Sequence, residues 1–125
     1  MRKLSVLILL AVLGFGAGKA TGCDNPSADF DYVYCAIQLY QQADKGLNDV
    51  YRELVGKLNA EGRSILRTSQ LAWIRQRNLR CTQVTSDARL VNLDCATEMT
   101  TQRTDFLKAR IRECNSTGCV NNRLR

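Results

Sequence analysis

Residues 70–81 read QLAWIRQRNLRC, and they hold the chain's single tryptophan together with two candidate inward-facing polar anchors and a cysteine. Trp73, Arg77 and Cys81 recur every fourth residue, so on a helix they form one line down a single face. An arginine in line with the bulkiest apolar side chain is drawn out of water when that side chain is buried, and it then needs an acidic partner. Counting back along the chain supplies one. Tyr40, Asp44, Leu47, Tyr51, Leu54 and Leu58 follow the three-or-four spacing of a core-facing helical stripe, and Asp44 sits inside it. The run Asn59-Ala60-Glu61-Gly62 can reverse the chain between the two segments. If they fold back antiparallel, Asp44, which lies 16 positions before Ala60, meets Arg77, which lies 15 after Gly62. The reading is a partly buried Asp44–Arg77 pair beside Leu47, Tyr51 and Trp73. The alternative places both as solvated edge residues.

Outward from this centre, three helical segments are expected. The first starts near Asn25-Pro26, a cap followed by a proline at the first helical position, or at Asp29 or Asp31, and runs to about Asn59. The second runs from Glu61 to about Gln83, with its apolar line through Ile65/Leu66, Ser69, Ala72/Trp73, Gln76 and Leu79/Arg80. Thr82 to Arg89 carries loop chemistry, with Ser86 or Asp87 as the cap of a third helix from about Arg89 to Arg112. Leu90, Leu93, Thr97, Thr100, Thr104, Leu107 and Ile111 share one side of it, and three threonines there predict a thin or partly wet seam. No strand-like alternation of any length is evident. The fold class is all-α, a three-helix antiparallel hairpin array stapled by disulfides. Residues 1–20 read as a signal peptide, 21–113 as the helical domain and 114–125 as a polar tail.

The signal peptide reading rests on basic Arg2 and Lys3, an apolar run from Leu4 to Phe15 and small residues at Gly18 and Ala20. Its removal takes three bases and no acid, leaving 15 bases against 12 acids, a balance of +3. That balance, and the lack of a basic tract interleaved with aromatics, argues against a nucleic-acid partner. The charge is uneven: residues 21–60 hold six acids and three bases, residues 61–125 six acids and twelve bases. Asp24, Asp29 and Asp31 form an acidic strip that is a candidate partner-binding surface.

Six cysteines, Cys23, Cys35, Cys81, Cys95, Cys114 and Cys119, lie beyond the signal segment. An even count in a small exported chain implies disulfides. In the hairpin array the first four gather at one pole, which favours Cys23 with Cys35 and Cys81 with Cys95, while Cys114 and Cys119 are spaced to close a small loop; spacing alone leaves all fifteen connectivities open. Lipidation of Cys23, which would attach the chain to a membrane, is less favoured, because it strands five thiols and because a lysine interrupts the segment before it. No histidine is present, and no CxxC pair, phosphate-cradling glycine loop or GxSxG elbow occurs. Binding without catalysis, cofactor or metal is the default reading.

DKGLNDVY at 44–51, SQLAWIRQRNLRC at 69–81 and CATEMTTQRTDFL at 95–107 together resemble the LprI-type lysozyme-inhibitor domain, also known as DUF1311. The matching positions are Asp44, Leu47, Asn48, Tyr51, Gln70, Trp73, Arg77, Cys81, Cys95, Thr101 and Arg103, and Cys23 and Cys35 resemble the family's earlier cysteines. Cys114, Cys119 and the short tail depart from the pattern. The resemblance implies a bacterial envelope protein, periplasmic or secreted, that binds and blocks lysozyme. On the residue reading Asp44, Asn48, Tyr51, Gln70, Trp73, Arg77 and Arg103 are structural, so the partner surface lies elsewhere. Two other readings stand beside it: an interaction or immunity protein for another wall-cleaving enzyme, and a membrane-active helical module, which lacks the unbroken apolar face it needs.

Overall fold

The computed structural model describes residues 23–125, so the signal peptide expected over 1–20 lies outside the described residues. The element order is α1 (Asp29–Lys57), α2 (Ala60–Cys81), β1 (Thr82–Val84), β2 (Arg89–Val91), α3 (Leu93–Ser116) and a single 3-10 turn at Asn121–Arg123. Among the described residues no helix is long and apolar enough to cross a membrane.

α1 begins after Ala28. Its start is fixed from within the first turn, where the Asp31 carboxylate accepts from the Ser27 and Ala28 backbone N–H groups, each at 3.3 Å. Asn25 and Pro26 precede the helix and do not open it. The reversal to α2 falls where expected: only Leu58 and Asn59 lie between the helices, and Asn59 caps α2 by accepting from the Gly62 N–H at 2.8 Å. Gly62 is buried in that first turn, where a Cβ would lie 2.6 Å from the Asn121 side-chain oxygen. A side chain at this position would have to displace the Asn121 amide from its place against the start of α2.

The segment after α2 is a short antiparallel hairpin. Thr82 pairs with Val91, Gln83 with Leu90 and Val84 with Arg89. Its turn is closed by Thr85, whose N–H donates to the Ala88 carbonyl at 2.9 Å and whose hydroxyl oxygen accepts from the Ala88 N–H at 3.0 Å. The loop expected over 82–89 is thus half of a hairpin, and α3 starts at Leu93, four residues later than predicted. Its cap is Asn92, which accepts from the Cys95 N–H at 2.9 Å, and neither Ser86 nor Asp87. Leu90 leaves the helical stripe and is exposed in β2.

Side-chain meetings fix the topology. Asp44 reaches Arg77, Arg77 reaches Thr100, and Arg103 reaches Gln70 and Ser69. α1 and α2 are therefore antiparallel, α2 and α3 are antiparallel, and α1 and α3 run parallel. α1 packs most closely on α3, its sequence-distant neighbour, and faces α2 chiefly through long side chains. The core is Leu47, Leu54, Leu58, Leu66, Leu107, Ile111 and Leu124. Leu124 is 1% exposed, so the stretch expected as a polar tail returns to the core. α3 likewise continues past Arg112 to Ser116.

The predicted face of α2 is corrected, while the thin or partly wet seam of α3 holds at Thr97 and Thr104, both half-buried. The buried line of α2 is Gly62, Leu66, Gln70, Arg77 and Cys81, with Trp73 half-buried beside it, while Leu79 and Gln76 are exposed. The threonine seam of α3 is dry at its centre: Thr100 is fully buried and its hydroxyl donates to the Ala96 carbonyl at 2.7 Å. A hydroxyl that bonds back to its own helix can be buried without water. Three disulfides join Cys23–Cys35, Cys81–Cys95 and Cys114–Cys119. The first two lie at the pole shared by the start of α1 and the end of α2, and the third lies at the opposite pole.

Candidate functional site

Two features of the molecule exceed what packing alone requires. The first is a column of alternating rings and guanidinium groups built by all three helices. Arg77 lies 5.6 Å from the Tyr40 ring and 5.1 Å from the Trp73 ring; Arg103 lies 6.0 Å from Trp73 and 4.7 Å from Phe106; Arg110 lies 5.1 Å from Phe106. Helical spacing generates it, since Trp73 and Arg77 are four apart, and Arg103, Phe106 and Arg110 are three and four apart. Each such contact contributes about 0.5–1 kcal/mol when exposed and about 2 when desolvated.

The two outer guanidiniums of the column have acids. Arg77 Nη1 lies 3.5 Å from Asp44 Oδ1 and donates to the Thr100 hydroxyl oxygen at 3.4 Å. The pair is asymmetric, because the Arg77 side chain is 11% exposed and that of Asp44 42%. Asn48 donates to Asp44 from one turn further along α1, at 3.3 Å. Arg110 pairs with Glu113 at 3.2 Å, and Glu113 also binds Arg123. The middle guanidinium differs. Arg103 donates from Nε to Gln70 Oε1 and from Nη2 to the Ser69 hydroxyl, both at 2.9 Å, and among the described residues it has no carboxylate at ion-pairing distance. Burial pushes its pKa below the ordinary arginine value. It stays cationic at neutral pH nonetheless.

The second feature is the start of α1. Eleven residues of this helix precede Tyr40, about 16 Å of rise, whereas α2 ends four residues, about 6 Å, beyond Arg77. α1 therefore projects past the end of α2. Phe30 is 76% exposed, and Tyr32, Val33, Tyr34 and Leu39 are also exposed along it. Val84, Leu90 and Val91 of the hairpin expose further apolar surface at the same pole. Isolated exposed apolar residues are ordinary, but a cluster of large ones is the usual mark of a surface that meets a partner.

The sequence-derived candidates fall on both features. Asp44, Tyr51, Gln70, Trp73, Arg77 and Arg103 come together around the column, with Asn48 at its edge. Asp24, Asp29 and Asp31 lie beside the exposed rings of α1; Asp24 and Asp29 face solvent, while Asp31 is half-buried and engaged in closing the first turn. The sequence reading missed Phe30, Tyr32, Val33 and Tyr34. Their signal was present as a run of large apolar residues that fits neither a three-four nor an alternating pattern, so no single buried face could hold it. It also missed a surface cleft beside Trp73 and Arg103, because one wall of it is Arg125, brought there by the fold of the chain's end.

No group of His, Cys, Asp and Glu side chains among the described residues is arranged to hold a metal ion. No curated protein and no solved structure matches the chain. The pattern that defines the lysozyme inhibitor LprI family matches residues 23–107, which take in the start of α1 and the column as far as Phe106 but not Arg110. This chain belongs to the LprI lysozyme-inhibitor family.

Proposed function

We propose that the protein is a non-catalytic inhibitor that docks on a lysozyme-type enzyme outside the cytoplasm, and that it docks through the projecting start of α1. The observation that carries the reading is the exposure of Phe30, Tyr32, Val33 and Tyr34 in a stretch, Cys23 to Asp44, that holds four acids and no base. Aromatic side chains supply large, rigid contact area at low entropic cost and dominate interface energies. Carboxylates around them favour a cationic partner and disfavour an anionic one. Cys23–Cys35 ties the preceding turn to this helix, so the exposed rings are held on a pre-ordered element and less ordering entropy is lost on binding. The basic later half brings exposed Arg80 and Arg89 to the same pole and weakens long-range attraction, so contact area and local charge, more than net charge, set the affinity.

The test is a cell-wall lysis assay with a cationic lysozyme and the oxidised protein lacking residues 1–20. Inhibition is expected, with about a tenfold or greater loss in the double variant Phe30→Ala/Tyr34→Ala, since two exposed anchors are removed without touching the core. Asp29→Asn should weaken inhibition less, and most visibly at low salt. Full potency of the double variant would move the contact surface elsewhere. Absence of inhibition, together with capture of a different wall-cleaving enzyme from envelope extract, would assign the protein to that enzyme instead.

A further inference from the structure

We propose that the open cleft along α2, lined also by Arg103 and Arg125, is a binding site for a carboxylate-bearing sugar. It has a volume of about 660 Å³ and is lined by residues of α2 together with Arg103 of α3 and Arg125. No acid lines it. Arg103 reaches its floor with two of its nitrogens committed to Gln70 and Ser69. Nη1 has no protein acceptor and is not sealed from solvent, so its two N–H groups remain available. Arg103 is 8% exposed as a residue, and its guanidinium, bonded only to neutral groups and packed between the rings of Trp73 and Phe106, carries an uncompensated desolvation cost. The other two guanidiniums of the column have Asp44 and Glu113 to offset that cost. A ligand carboxylate against Arg103 Nη1 supplies the missing counter-charge as a charge-assisted hydrogen bond, and Arg125 adds a second cation at the rim.

The remaining walls define the rest of the ligand. Ile65, Ala72 and Trp73 form an apolar side that accepts the C–H face of a pyranose ring. Ser64, Thr68 and Gln76 lie four and eight residues apart on the same face of α2 and offer neutral groups that both donate and accept, matching sugar hydroxyls and acetamido groups. A bare inorganic anion would leave the apolar wall unused, and a neutral sugar would leave Arg103 uncompensated. This inference is independent of enzyme inhibition, since the cleft lies on α2 and the proposed docking surface on the first turns of α1.

The experiment is titration of the oxidised protein with N-acetylmuramic acid, followed by fluorescence of Trp73, which lines the cleft and is the only tryptophan. N-acetylglucosamine serves as the uncharged sugar and N-acetyl-aspartyl amide as the carboxylate without a sugar. A saturable response to the acidic sugar is expected, about tenfold or more tighter than to either comparison. Gln76→Glu places a carboxylate in the exposed wall and should weaken binding by about tenfold or more; Arg125→Ala, at an exposed position, should weaken it severalfold. Absence of a saturable response, equal responses to all three probes, tighter binding of the aspartyl amide, or unchanged affinity in both variants would each overturn the proposal.

Discussion

Removing the Asp44 carboxylate tests whether the meeting of α1 and α2 depends on charge. The carboxylate lies 3.5 Å from Arg77 but is 42% exposed, so water screens much of the attraction. Fully exposed pairs are worth about 0–1 kcal/mol, and breaking a fully buried pair costs about 3–5. Arg77 also keeps the Thr100 hydroxyl, the Asn78 side-chain oxygen and two rings when Asp44 is lost. Asp44→Ala should therefore cost about 1 kcal/mol, close to the upper end for an exposed pair, or about 4–8 °C in melting temperature for a domain of this size. Arg77→Met keeps apolar volume but removes the pair and both ring contacts, and should cost about 2–3 kcal/mol. The double variant should lose about 1 kcal/mol less than the sum of the singles. Urea unfolding followed by Trp73 fluorescence and by circular dichroism gives all four corners of the cycle. Added salt should reduce the Asp44→Ala loss, because its partner is reached through solvent. A coupling energy below about 0.3 kcal/mol would refute the pair, and an Asp44→Ala loss above about 3 would show that Arg77 has no adequate second support.

The chain's end supplies a second prediction: Leu124→Ala should cost about 2–5 kcal/mol, as in any closed core, and the loss should appear in the denaturation midpoint although the residue is the penultimate one. An unchanged midpoint would mean that the end is not part of the folded unit. The disulfides supply a third. On chain-entropy grounds, replacing the Cys81–Cys95 bridge by two serines should cost about 3 kcal/mol, and replacing Cys114–Cys119, which closes a much shorter loop, about 2. A larger loss at the shorter loop would show that this bridge acts mainly by holding Leu124 in place.

Helical class, the number of helices, the reversal near residue 59 and the facing of Asp44 toward Arg77 are all legible in the sequence. Each depends on spacing within one helix or on the length of chain on either side of a turn, and both are local quantities. The line Trp73, Arg77, Cys81 is read correctly for the same reason. The neighbouring line through Ser69, Gln76 and Leu79 is not, because a helix with few apolar residues allows more than one face to be chosen until its neighbour is known. The start of α3 was misplaced because Leu90 and Val91 fit a helical stripe as well as a strand, and a three-residue hairpin is too short to give a period.

What only the tertiary structure decides is which groups from separate segments share one environment. α3 inserts as the closest neighbour of α1, and this leaves α2 facing α1 through long side chains and an open cleft along its outer side. The return of Leu124 to the core then carries Arg125 to that cleft. The distinction between Arg103 and the other two arginines of the column is likewise invisible in the sequence, where all three are cations near aromatic residues. Glu113 is local to Arg110, but the acid at Arg77, the lack of one at Arg103 and the desolvation of both are set by atoms distant along the chain, and they become readable only when the helices are packed.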